Sequence, residues 1–198
     1  MSVQSSQTSL DDKSKTTLAD YLGDLINVET HIEEALDKQK KEAQDDPTAG
    51  PLVNEFHDMV RAHRDALKAI QPEKGSTAGN PITEIGSSLL GKAAGVIDRI
   101  RTEGISKSLR DDYVAFNLAA ISYTMMYTTA AGLGDTQLAG VAERHLTDYA
   151  AAIQKINHAI ADVVVRELAK DNHNVQTGAA DQTRAIVDTA WKTTDQSK

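Results

Sequence analysis

The stretch YVAFNLAAISYTMMYTTAAGLG, residues 113–134, decides the fold: it lies between Asp112 and Asp135 and carries no charge over its 22 positions. Beyond it, apolar side chains recur at Leu138, Val141, Tyr149, Ile153 and Ile156 with helical spacing. The pattern predicts an antiparallel helical hairpin. Its first helix is apolar nearly all round because partners surround it, and its second is amphipathic. At the turn, Gly134 is free to adopt a positive φ and Asp135 is placed to cap the second helix. A run of this length also raises a membrane span. Asn117, Ser122, Thr124, Thr128, Thr129 and three tyrosines within it favour the central helix of a bundle instead.

Working outward, the segment before this hairpin supplies two more helices. The first is predicted to start near Thr16, with Leu18, Leu22, Leu25, Ile32 and Leu36 on one seam and Glu29 at the seam position no hydrophobe fills. The turn around Pro47, Gly50 and Pro51 ends it. The second helix shows Leu52, Phe56, Met59, Leu67 and Ile70, and its register passes through His63. Pro72 to Pro81 reads as a linker, followed by a Gly-rich helix over 82–101 with Gly86, Gly91 and Gly95. On the last long helix the inward row reads Leu138, Val141, His145, Asp148, Ala152, Ile156, Ala159, Val163.

The expected organisation is an arm at 1–15, disordered or mobile, a helical bundle domain at 16–168, and a polar linker with a short C-terminal amphipathic helix at 169–198. In that last helix Ile186, Val187, Ala190 and Trp191 are predicted to dock together on the bundle or on a second subunit. The fold class is all-α: an antiparallel four-helix bundle with an extra Gly-rich helix in the long mid-chain connection.

Composition narrows the function. With 198 residues and a formal charge of −8, and with no clustering of its Lys and Arg, the chain lacks the basic footprint of a nucleic-acid surface. It has no cysteine, which excludes disulfides, thiolate metal sites and cysteine nucleophiles. The start, MSVQSSQTSLDD, shows neither the basic nor the apolar run of a secretory signal, so a cytoplasmic location is expected. A homo-oligomer, in the first instance a dimer, is the expected assembly.

The chemistry lies in the seams. Glu29, His63, His145 and Asp148 each interrupt an apolar stripe, and buried ionisable groups occur paired, hydrogen-bonded or metal-bound. Two readings stand: these four residues hold one Fe, Mn or Zn ion, or Glu29 pairs with His63 and Asp148 with His145 in a metal-free network that fixes helix register. Glu33, Glu34, Glu55, His57 and Asp58 read as solvated flanks. Tyr123, Met125, Met126 and Tyr127 read as core, with a redox-active tyrosine as the alternative.

In helix order, long connection, the turn at Leu133, Gly134 and Asp135, and the register of the last long helix, the chain resembles the ferritin-like stress proteins of the YciE/YciF type over about 18–168. The resemblance implies a metal centre in which Glu29, His63 and Asp148 match family positions. Met59, Ala119 and Tyr149 stand where further carboxylates are expected. Two divalent ions need more anionic ligands than remain. The expected protein is therefore stress-associated, with an at most mononuclear or lost metal site and no di-iron oxidase activity. The alternative is a structural or protein-interaction bundle.

Overall fold

A computed structural model describes residues 10–74 and 104–195 of the chain. The described residues are helical: α1 (Asp12–Ala43), α2 (Ala49–Ile70), a short 3-10 turn at Pro72–Lys74, α3 (Ile105–Leu133), α4 (Thr136–Lys170) and α5 (Ala179–Asp195). Most of the arm expected at 1–15 and the Gly-rich helix expected over 82–101 lie outside the described residues.

Local chemistry sets the ends. Helix α1 begins four residues before the predicted Thr16 because the Asp11 carboxylate accepts the Ser14 N–H at 2.7 Å. The α1–α2 turn is held by Asp46, which accepts from the N–H groups of Thr48 and Ala49 at 2.9 and 2.8 Å and pairs with Arg166 of α4. Gly50 follows from that tightness: a Cβ there would lie 2.9 Å from the Ala43 carbonyl oxygen. The α3–α4 turn matches expectation, with Gly134 at φ 83° and Asp135 accepting the Leu138 N–H at 3.0 Å.

Cross-helix pairs give the directions. Glu29 meets His63 and Asp37 meets His57, so α1 and α2 are antiparallel. Glu29 also meets Tyr123, and Gln39 meets Asp112, so α1 and α3 are antiparallel as well. Asp46 meets Arg166 and Glu55 meets Lys155, which makes α2 and α4 antiparallel. Helices α2 and α3 therefore run parallel. Lys74 lies near the α3–α4 turn, where Gln137 donates to Glu73, and Gly104 lies at the opposite end, where the Ser106 N–H donates to Glu167. The two points are thus separated by about the length of α2, roughly 33 Å for its 22 residues.

The core is built from Leu18, Leu22, Leu25, Ile32 and Leu36 of α1, Val53, Phe56, Val60 and Leu67 of α2, Leu109, Phe116, Ala119 and Met126 of α3, and Leu138, Ala152, Ile156 and Val163 of α4. The α1 seam is as predicted. On α2 the buried row is shifted: Val53 and Val60 face inward, while Leu52, Met59 and Ile70 are only partly buried.

Two expected apolar faces are partly open in the single chain. Among the described residues α3 is not enclosed all round: Val114, Ile121, Met125 and Tyr127 are exposed, with Asn117, Thr124 and Thr128 interleaved. Absence of charge here marks an outward face as well as a core face. Likewise α5 packs on α4, with Arg184 donating to Asp162 at 2.6 Å, but Ile186 and Trp191 stay exposed. Among the described residues no helix is long and apolar enough to cross a membrane.

Candidate metal centre

Each helix of the bundle contributes to one buried polar cluster. Glu29 of α1 is fully buried because it sits at the seam position between Leu25 and Ile32. From α2, His63 projects from the Phe56, Val60, Leu67 face; from α4, His145 and Tyr149 stand one turn apart on the row that continues to Ala152 and Ile156. Tyr123 of α3 completes it, four residues beyond buried Ala119.

Glu29 is the hub. Its Oε1 accepts the hydroxyl of Tyr123 and its Oε2 accepts that of Tyr149 at 2.6 Å. His63 Nδ1 lies 3.4 Å from Oε1 but off the line of a hydrogen bond, which leaves that buried nitrogen without a hydrogen-bond partner among the described residues. Tyr123 donates its hydroxyl proton to Glu29, so its oxygen receives the Nδ1–H of His145 at 3.0 Å. The His63 and His145 rings stack at 3.8 Å with planes 13° apart. Below them, Tyr149 packs on Phe116 and Phe116 on Phe56, edge to face.

The electrostatics follow from burial and from Glu29. Burial pushes the Tyr149 and Tyr123 phenols well above the ordinary tyrosine range, and the Glu29 charge adds to it, so both remain donors. Burial, then the neighbouring His63 and Arg144, hold His145 down at about 3, a neutral imidazole. Burial alone would lower His63 too, but Glu29 and Asp148 outweigh it and raise its pKa.

The four predicted site residues do not all converge. Glu29, His63 and His145 do: each offers a ligand atom, and the three atoms lie within 4.8 Å of one another, the one such group among the described residues. Asp148 stands outside. Its side chain is 54% exposed, and its Oδ2 meets the far nitrogen, Nε2, of His63 at 3.0 Å. The predicted Asp148–His145 pairing is therefore replaced by Asp148–His63 and Tyr123–His145. The cause is register: three and four residues beyond His145 share a face, and the larger, less costly group to bury, Tyr149, takes the inward place.

Helix α3, expected to supply packing and no carboxylate or histidine, supplies Tyr123. Met125 and Tyr127, read as core with it, face outward. Two supposed flank residues are buried: His57, 3.0 Å from Asp37, and Glu33, paired with Arg64. Each is covered by a partner on the other helix of the pair.

Chemically, two imidazoles and one carboxylate suit a single Fe, Mn or Zn ion. Ligand atoms around one such ion stand about 3.0–3.5 Å apart when adjacent, so atoms at the 4.8 Å limit need to approach by roughly 1.3–1.8 Å. Glu29 is the one carboxylate in the group, Ala119 is fully buried without a charge, and Tyr149 offers a phenol. Residues 13–169 match the model of a family described as a domain of unknown function, DUF892. No curated protein and no solved structure matches the chain.

Proposed function

The chain belongs to the DUF892 family, and from that premise we propose that it is a cytoplasmic, stress-associated bundle protein of ferritin-like kind that handles one metal ion in its core. The observation that carries this reading is the convergence of Glu29, His63 and His145, one from each of three helices, on a common point. The order of helix directions, with α2 and α3 parallel across a long connection, supports the ferritin-like assignment.

A bound ion would supply Lewis acidity, or electron exchange in the case of Fe or Mn. The chain's own groups do the rest. Glu29 supplies the negative charge, His145 a neutral ring nitrogen, and Asp148 orients His63 from the solvent side through Nε2. With a single carboxylate present, the proposed protein is not a di-iron oxidase. The exposed apolar residues Val114, Ile121 and Met125 support a homodimer through α3, which light scattering of the purified chain would test.

A second reading rests on a specific observation: both oxygens of Glu29 already accept tyrosine hydroxyls, so the cluster is largely satisfied without an ion. Elemental analysis of protein from cells supplied with Fe, Mn and Zn separates the two. One equivalent of metal, lost in both Glu29→Ala and His63→Ala, supports the centre; metal that survives both substitutions, or two equivalents, refutes it. In the metal-free case, chelator leaves the melting temperature unchanged.

A further inference from the structure

One carboxylate, two phenol hydroxyls and two imidazoles meet in the cluster, yet only Glu29, His63 and His145 belong to the expected donor types. Tyr123 is as deeply buried as Glu29, and its oxygen is the one atom in hydrogen-bond contact with both Glu29 and His145. An ion drawn to the carboxylate and the His145 ring thus meets the Tyr123 oxygen on the way. Tyr149 differs: its oxygen donates to Glu29 Oε2 at 2.6 Å, and its hydrogen bond in the cluster is to Glu29 and not to His145.

Resting on the mononuclear reading above, we propose that Tyr123 is a fourth ligand, as a phenolate, and that the ion this centre takes is ferric iron. Tyr149 is a positioning residue, whose hydroxyl holds the Glu29 carboxylate in place. Charge supports the choice. Glu29 alone leaves a trivalent ion with two uncompensated charges in a buried site, and a phenolate removes one of them. Hard anionic oxygens also favour a hard cation, whereas a donor set of two histidines and one carboxylate shows no preference for the trivalent state. In the step, the Tyr123 O–H bond breaks as the oxygen–iron bond forms, and the proton leaves to solvent. Iron enters and stays ferric, so no oxidant is needed. Asp148, half exposed and bonded to the outer nitrogen of His63, marks the edge at which the cluster reaches water.

Phenolate bound to ferric iron has a visible charge-transfer band that carboxylate and imidazole ligands do not produce. The test is titration of the full chain with ferric nitrilotriacetate, read by absorption, by resonance Raman excited in the band, and by iron analysis after desalting. The expected result is one iron per chain, a visible band with tyrosine ring modes in the Raman spectrum, loss of the band in Tyr123→Phe and its retention in Tyr149→Phe. Bound iron without the band, or a band that Tyr123→Phe retains, overturns the tyrosinate assignment and leaves the mononuclear centre standing. No retained iron in the unaltered protein overturns the ferric assignment, and the mononuclear reading then stands or falls on the Mn and Zn content found by the elemental analysis above. The Raman spectrum of the unaltered protein decides the point even if Tyr123→Phe does not fold, since absent tyrosine modes refute the assignment without a variant.

Discussion

Asp112 offers the sharpest test of the packing away from the metal centre. It lies on α3, 2% exposed, against α1, where the Gln39 amide nitrogen donates to its Oδ1 at 2.8 Å. Its other oxygen, the Gln39 carbonyl oxygen and the Ser108 hydroxyl, all buried, have no hydrogen-bond partner among the described residues. Burial, with a contribution from Asp111 and against the Gln39 bond, raises the carboxyl from 3.8 to about 7. A proton on Oδ2 turns an unpartnered acceptor into a donor beside unpartnered oxygens. Because the folded pKa is raised, the folded chain binds more protons than the unfolded one between these values. The associated stability is full below pH 3.8 and is lost as pH rises through about 7. Integrated between those limits, the loss is about 2 kcal/mol by pH 5, about 3 kcal/mol by pH 6 and about 4 kcal/mol by pH 8. Asp112→Asn is the shape of the protonated acid and cannot ionise. Urea unfolding of both proteins across this range isolates the group, since other titrations cancel in the difference. The variant should match the parent near pH 4 and exceed it by about 4 kcal/mol near pH 8. A difference that stays flat with pH would mean that Asp112 is not the buried acid inferred here.

Two further predictions concern the cluster and the turn. Glu29→Gln should destabilise by about 2–4 kcal/mol and Tyr149→Phe by about 1–2 kcal/mol. The double variant should fall short of their sum by about 1 kcal/mol, because both changes remove one shared bond. Strict additivity in urea unfolding would argue that Tyr149 and Glu29 do not interact. Two neighbouring glycines should respond with opposite signs in the same assay. Gly132→Ala, in open helical space, should gain about 0.5–1 kcal/mol, and Gly134→Ala, at φ 83°, should lose about 1 kcal/mol. Equal signs would refute the assigned end of α3.

Legibility in the sequence tracked how local each cause is. The Leu18, Leu22, Leu25, Ile32, Leu36 seam and the Gly134–Asp135 turn are set by residues within one or two helical turns, and both are found where the spacing places them. Burial of Glu29, His63 and His145 follows from the same spacing. What stayed hidden depends on residues far apart in the chain. His57 is buried by grace of Asp37, Glu33 with Arg64, and Asp112 with Gln39, and no single-helix pattern carries those pairings. Asp148 and Tyr149 illustrate a second limit. The helical period leaves either of two adjacent residues eligible for the inward place, and only the packing around Phe116 selects the ring. Finally, an uncharged helix face looks the same in sequence whether covered or open, which is why Ile121 and Met125 were expected inside.

The division of the cluster between the two hairpins bears on how the protein assembles. Glu29 and His63 lie on the α1–α2 pair, while Tyr123, His145 and Tyr149 lie on the α3–α4 pair, whose two helices share the bundle's most extensive contact. Each pair can form through short-range closure, but the contacts between pairs must wait for the long connection to bring them together. Neither pair alone holds a complete donor set. The proposed centre is therefore complete only where the two pairs pack together, so metal retained by the chain would report that its two halves have met in the correct register.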